Sequence, residues 1–226
     1  MSNLANNRVT LAQVKTDPQI QAYIKRADEY LGISGYTEHG KRHCGLVAKF
    51  AYDILTQLGF PERDAELSAI AGYLHDIGNV FSRKSHAYTG AVLAHTLLKD
   101  LNMDMDEITE IVAAIGGHDD DGCEPVSRIA AGLVLADKSD VHRSRVRNPD
   151  MIKFDIHDRV NYAVEKSKLR VDREHKTISL ELEIDLNISS VMEYFEIFLN
   201  RMLYCKRAAN FLACTFSLVV NENRLL

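Results

Sequence analysis

The stretch "GYLHDIGN", Gly72 to Asn79, sets an imidazole beside a carboxylate where an apolar helical run, "AELSAIAGYL", gives out. His75 and Asp76 either close that helix through a local hydrogen bond or form half of a metal site. Four more such groups interrupt apolar helical text: His43 opens "HCGLVAKFA", His86 opens "HAYTGAVLA", His118 follows "IVAAIGG", and Asp137 sits inside "GLVLAD". One histidine at a helix end is ordinarily a cap or a surface group. The whole set asks for a common reason, because a buried imidazole or carboxylate is costly unless paired or bound to metal. Imidazole and carboxylate ligands suit first-row ions such as iron, manganese or zinc. With no cysteine in the set, a Cys-rich structural zinc site is excluded.

Holding these groups takes helices, and the first two-thirds of the chain reads as helix after helix. Asp17-Pro18 caps and opens "QIQAYIKRADEYL", with Gly32 as its stop. The next helix runs from about His43 to Leu58 and ends at Gly59; Pro61 starts the one that carries His75-Asp76 at its end. Ser85 is placed to cap "HAYTGAVLAHTLLKDL", the Asp104 to Glu107 spacing predicts a capping box before "EITEIVAAIGG", and Pro125 opens "VSRIAAGLVLADKSD". After Pro149 a helical "IHDRVNYAVEKS" leads into a β-hairpin. Leu169 and Val171 on one arm, and Ile178, Leu180, Leu182 and Ile184 on the other, alternate with polar residues around "DREHK". A long helix is predicted from about Ser190 to Val220. Its apolar stripe is Val191, Phe195, Phe198, Met202, Cys205, Ala209, Leu212, Phe216 and Val219. That stripe either folds back on the domain or pairs with a second chain as a homodimer seam. The expected architecture is mainly α, with a helical metal-binding domain over residues 1–150 and a C-terminal α+β appendage over 151–226.

The order H…HD…H…H…D resembles the HD superfamily of metal-dependent phosphohydrolases, from about Thr37 to Arg147. "HCGLVAKFA" is similar to that family's opening helix, "LHDIGN" to its doublet and turn, and "HAYTGAVLA" to the fourth helix of its two-metal branch. "IVAAIGGHD" and "AAGLVLADKSD" are similar to its last two motifs. The resemblance implies an HD-domain helical bundle with a binuclear centre. His43, His75, Asp76 and Asp137 would hold one ion; His86, His118 and the second oxygen of Asp76 would hold the other. The pair His75 and Asp76 becomes the catalytic core, with Asp76 as the bridge. The ions are divalent: iron or manganese, with zinc, nickel, cobalt or magnesium as alternatives. The implied reaction is hydrolysis of a phosphate ester or anhydride, above all of a nucleotide, by a metal-bridging hydroxide. Two other classes share the framework: di-iron oxygenases of the same superfamily, and non-catalytic nucleotide sensors.

The chain also departs from its relatives. Asn79 stands where the cyclic-dinucleotide phosphodiesterases of the HD-GYP branch and the HD-class diadenosine tetraphosphate hydrolases carry lysine. His118 is followed by "DDDGCEP", without a Gly-Tyr-Pro signature, so the HD-GYP branch is not assigned. Arg83 and Lys84 are the nearest cations that could compensate for the missing lysine. In "DKSDVHRSRVR", Arg143, Arg145 and Arg147 are either phosphate clamps or a solvated basic loop. His39, four residues before His43, is a candidate for the substrate rim. Asp119, Asp120 and Asp121 read as a solvated turn in which one carboxylate could orient His118; Lys138 and Asp140 are candidate partners of the ligands. His95, His142, His157 and His175 read as surface or packing residues.

Composition narrows the partners. The 226 residues are 46% hydrophobic and 26% charged, ordinary for a globular chain, and the net charge of -5 argues against wrapping nucleic acid or coating an anionic membrane. A small phosphorylated or nucleotide substrate remains compatible, because metal supplies local positive charge. Cys44, Cys123, Cys205 and Cys214 are scattered without a CxxC pair, so reduced thiols are expected. "MSNLANNRVT" lacks a signal-peptide pattern, and the longest apolar run, around "FLACTFSLVV", is too short to span a bilayer. The expected location is the cytoplasm.

Overall fold

A computed structural model describes residues 8–119 and 124–225. Asp120, Asp121 and Cys123, and all but the last three residues of "MSNLANNRVT", lie outside the described residues. The helices are α1 (Leu11–Thr16), α2 (Pro18–Ile33), α3 (Lys41–Leu58), α4 (Glu62–Leu74), α5 (His86–Asp100), α6 (Met105–Gly116), α7 (Arg128–Lys138) and α8 (Ile156–Ala163). Then come strands β1 (Val164–Asp172) and β2 (Thr177–Ile184), helix α9 (Val191–Phe211), and strands β3 (Thr215–Val220) and β4 (Asn223–Arg224). The protein is mainly α with a small sheet at its C-terminal end, as expected.

Helix α4 is the centre of the bundle. Nearly every residue from Ala65 to Leu74 is buried, so it shows no polar face, and it packs against α3, α6 and α7. Small residues permit this crowding: a Cβ on Gly132 of α7 would stand 2.5 Å from Ser68 Oγ of α4. Past α4 the chain turns through a 3₁₀ segment, Ile77–Val80, that presses onto the start of α5. There only glycine fits, since a Cβ on Gly78 would lie 2.0 Å from the carbonyl oxygen of His86. The turn after His75-Asp76 is thereby clamped to the helix that begins with His86.

Local chemistry sets most boundaries. Asp17 caps α2 by accepting from the N–H groups of Gln19 and Ile20, and Gly59 ends α3 at φ 82°. Gly32 does not stop α2, which continues to Ile33 before a turn through Gly35 at φ 84°. Asp104 does cap α6, but no capping box closes: Glu107 turns instead to Arg63, whose Nε it accepts at 2.6 Å. Helix α7 starts later than Pro125, at Arg128, where Ser127 accepts from Ala130 N–H.

The C-terminal part holds two corrections. The "VEKS" segment predicted as helix is the start of β1, drawn into the sheet by pairing with β2 from Val164 opposite Ile184. The helix predicted to reach Val220 ends at Phe211. Ala213 takes φ 56°, the N–H of Cys214 bonds to the carbonyl of Ala209, and that of Ala213 to Asn210, which together close a Schellman motif. The chain then runs as β3, parallel to β2 with Ile178 opposite Phe216 and Leu180 opposite Leu218. The sheet order is β1-β2-β3-β4, with α9 as the crossover between its two parallel strands.

Phe198, Met202, Cys205 and Ala209 of α9 are buried within the chain, in one apolar cluster that also contains the cores of α3, α4 and α7. The stripe therefore folds back, and α9 lies along α7. No helix among the described residues is long and apolar enough to cross a membrane.

Candidate metal centre

Six side chains predicted from helix ends converge. His43 comes from the first turn of α3, His75 and Asp76 from the end of α4, His86 from the first residue of α5, His118 from just beyond α6, and Asp137 from the last turn of α7. All four imidazoles and Asp76 are buried. Ligand atoms gather in three overlapping groups, each within 4.8 Å: His43, His75 and Asp76; His75, His118 and Asp137; Asp76, His86 and His118.

Every imidazole is anchored by its outer nitrogen. His75 Nδ1 donates to the Gly72 carbonyl (2.9 Å), His86 Nδ1 to that of Arg83 (2.8 Å), and His118 Nδ1 to that of Ile115 (2.6 Å). His43 Nδ1 donates to Asp140 Oδ2 at 2.6 Å. Carbonyl and carboxylate oxygens only accept, so the Nδ1 atoms carry the protons and the four Nε2 lone pairs point inward. His43 Nε2 stands 3.3 Å from His75 Nε2, and His86 Nε2 stands 3.3 Å from His118 Nε2. Lone pairs facing at this range repel unless a proton or cation lies between them.

Asp76 divides its oxygens between the two ends. Oδ2 lies 3.1 Å from His75 Nε2 and 3.5 Å from His43 Nε2, and Oδ1 lies 3.5 Å from His86 Nε2. Asn79 donates to Oδ1 at 2.8 Å, whereas Oδ2 is buried with no hydrogen-bond partner. Asp137 Oδ1 stands 3.3 Å from His43 Nε2, and its Oδ2 is held by Lys138 Nζ at 2.9 Å. An orphaned carboxylate oxygen among lone pairs is the donor set a divalent cation fits.

The electrostatics agree. Burial alone would push the His75 imidazole down, but the charges of Asp76 and Asp137 raise it to about 10. Without an ion, His75 holds a proton where a cation would sit. Burial, with the charge on His75 next, pushes His118 down to about 3. Burial would raise Asp137; Lys138 and then His75 hold it well below the usual carboxylate range. Asp140 is likewise held low, against burial, by Arg145 and His43.

The proposed surroundings divide. Arg83 reaches the centre: its Nη1 lies 3.3 Å from His86 Nε2 and 3.5 Å from Asp76 Oδ1, and donates to Asn79 Oδ1 at 3.4 Å. Asp119 bonds Lys138 at 2.6 Å and approaches His86 Nε2 at 3.6 Å. His39 is buried with its ring against His43, its Nδ1 donating to the Thr37 carbonyl. Arg145 is buried, and its donors are taken by the carbonyls of Glu38 and Asp140. Arg143 pairs with Glu165 and Arg147 with Asp28, away from the ligand atoms, and Lys84 is exposed with no contact to them.

A cavity of about 410 Å³ adjoins the centre, lined by His39, Arg83 and Arg145 together with residues of α8 and α9. Arg201 and Asn161 belong to that lining and escaped the sequence reading. Arg201 follows Phe198 by three residues, so a cation sharing the apolar side of a helix was the available signal. His157, read as a surface residue, is exposed but also lines this cavity.

Residues 41–141 match the HD domain family model. The chain is also 27% identical over 174 residues to an uncharacterized protein of Methanocaldococcus jannaschii. That alignment covers 67% of this chain and 66% of the relative, a little under two-thirds of the relative's length. That match takes in all six candidate ligand positions on helices α3 to α7 and the turns between them, the doublet His75-Asp76 included, so over residues 41–141 the chain is similar to HD-domain proteins.

Proposed function

We propose that this protein is a metal-dependent phosphohydrolase that cleaves a phosphate ester or anhydride of a small, nucleotide-like substrate. The observation that carries this reading is the convergence of four anchored Nε2 lone pairs on the two oxygens of Asp76. His43, His75, Asp137 and Asp76 Oδ2 would hold one divalent ion; His86, His118 and Asp76 Oδ1 would hold a second. Such ions supply Lewis acidity toward phosphoryl oxygens and lower the pKa of water. The imidazole-rich set favours iron, manganese, zinc, cobalt or nickel over magnesium.

The rest of the site prepares for an anion. Arg83 stands between the ligand atoms and the cavity, where it can pair with a phosphoryl oxygen. Lys138 neutralises Asp137 and Asp119 together, which limits the negative charge that an incoming phosphate meets. His39, with Nδ1 committed to Thr37, offers an acceptor Nε2 at the cavity edge. The buried thiols of Cys44 and Cys205 fit a reducing, cytoplasmic setting.

The test is turnover of p-nitrophenyl phosphate and a panel of nucleotides by protein loaded with each ion, with and without dioxygen. Hydrolysis that needs a divalent ion, proceeds anaerobically and places oxygen from ¹⁸O-water in the product supports the proposal. A requirement for dioxygen and ferrous iron would replace it with an oxygenase.

A further inference from the structure

The cavity beside the metal centre has two ends of different character. Arg83, Arg145 and Arg201 crowd the end near the ligand atoms. Asp155, Asp158 and Asn161, all at or on α8, occupy the other. Arg201 is a partly buried guanidinium stacked on Phe198 at 4.5 Å, and no carboxylate among the described residues pairs with it. Burial, and next the charge of Arg145, lowers its proton affinity, and the charges of Asp137 and Asp119 offset this only in part.

Asn161 poses the complementary question. It is buried, and its Nδ2 donates to the His157 carbonyl at 2.8 Å. A carbonyl only accepts, which fixes the amide orientation and leaves Oδ1 as the free atom. That Oδ1 is buried with no hydrogen-bond partner. An unpaired acceptor and an unpaired guanidinium in one cavity describe a ligand that brings an anion to one and an N–H or O–H to the other.

We propose that this cavity is a second subsite, in which Arg201 binds a second anionic group of the substrate and Asn161 Oδ1 accepts a hydrogen bond from a donor beyond it. This rests on the phosphohydrolase reading, which places the first phosphoryl group at the ligand cluster. The substrate class is then an organic diphosphate, such as a nucleoside 5′-diphosphate, rather than a simple phosphomonoester. The acidic residues near α8 repel an anion at that end, so the diphosphate lies toward the arginines and the hydroxyl- or amine-bearing portion toward Asn161. The volume of about 410 Å³ suits a ligand of that size.

The test is calorimetric binding of α,β-methylene adenosine diphosphate and of adenosine monophosphate to the metal-loaded protein, without turnover. Wild type should bind the diphosphate at least about 10-fold more tightly, as one charge-assisted contact provides. Arg201→Gln should abolish that preference and Arg201→Lys should restore part of it. Asn161→Leu and Asn161→Ser should weaken both nucleotides several-fold while keeping the preference. Thermal melting identifies any variant that has not folded; the lysine and serine variants carry the test if the others fail. Equal binding of the two nucleotides by wild type, binding of neither, or a preference that survives Arg201→Gln would overturn the subsite. Wild type that keeps the preference yet hydrolyses neither p-nitrophenyl phosphate nor any nucleotide would refute the hydrolase reading and leave the subsite standing.

Discussion

Asp140 Oδ2 grips two groups at once: His43 Nδ1 at 2.6 Å and Arg42 NH2 at 2.9 Å. Arg145 above all keeps the carboxylate ionised, Arg42 helps hold it in place, and the carboxylate fixes the tautomer and the aim of His43. Such outer partners set ligand orientation, and losing one costs about 10- to 100-fold in metal affinity. Asp140→Ala is therefore expected to weaken ion binding by that factor, with Asp140→Asn milder because an amide oxygen still accepts. Chelator competition measures it; affinities within twofold of wild type would remove Asp140 from the metal argument.

The ligand groups predict a stoichiometry. His118 touches two of them and Asp76 two, but only Asp76 has an oxygen facing each end. His118→Ala should lower bound metal by about one equivalent, and Asp76→Asn should empty both positions, since two cations would face each other with less compensating charge. Elemental analysis after dialysis decides between this and a single-ion site, for which wild type and His118→Ala would hold the same amount.

Protons and ions compete for His75. Because its imidazole is raised from 6.5 to about 10 in the ion-free protein, its protonated form stabilises the fold fully below pH 6.5. That contribution is lost as pH rises through about 10. Ion binding near pH 8 must expel this proton, so affinity falls as pH falls. Titration calorimetry in buffers of different ionisation enthalpy should show about one proton released as the His75 site fills. Chelator-treated protein should lose melting temperature between pH 6.5 and 10, and loaded protein should lose less.

Ala213 marks a place where composition hid the structure. It occupies the left-handed position of a Schellman motif, which usually calls for glycine. Ala213→Gly should relieve that strain and raise stability by up to about 1 kcal/mol, or a few degrees in melting temperature. A lower melting temperature would mean that the added freedom of the unfolded chain outweighs the strain.

The same residue explains what could be read beforehand. The convergence of six candidate ligands was legible because each is a polar group at a helix end or on an apolar face, and residue type alone marks it. The end of α9 was not, because no glycine or proline punctuates it and Phe216 and Val219 extend the helical spacing by coincidence. "VEKS" could not be assigned locally either: only pairing with β2 decides that it is strand. Glu107 had the spacing of a capping box, but Arg63, 44 residues away, holds it more strongly than the backbone N–H it was expected to reach. Asn161 and Arg201 carry their meaning in an unfilled hydrogen-bonding capacity, which no sequence displays.

The parallel pairing of β2 with β3 imposes an order in time. All six candidate ligand positions lie at or before Asp137, on helices that also meet across long stretches of chain, as α3 does α7. Part of the cavity lining comes from α9, which is tethered at both ends to strands that must find each other across the whole crossover. β2 cannot pair with β3 until all of α9 has been made, after every candidate ligand position. As the chain emerges from the ribosome, every residue of the candidate metal centre is therefore present before the α9 lining of the cavity can be set in place.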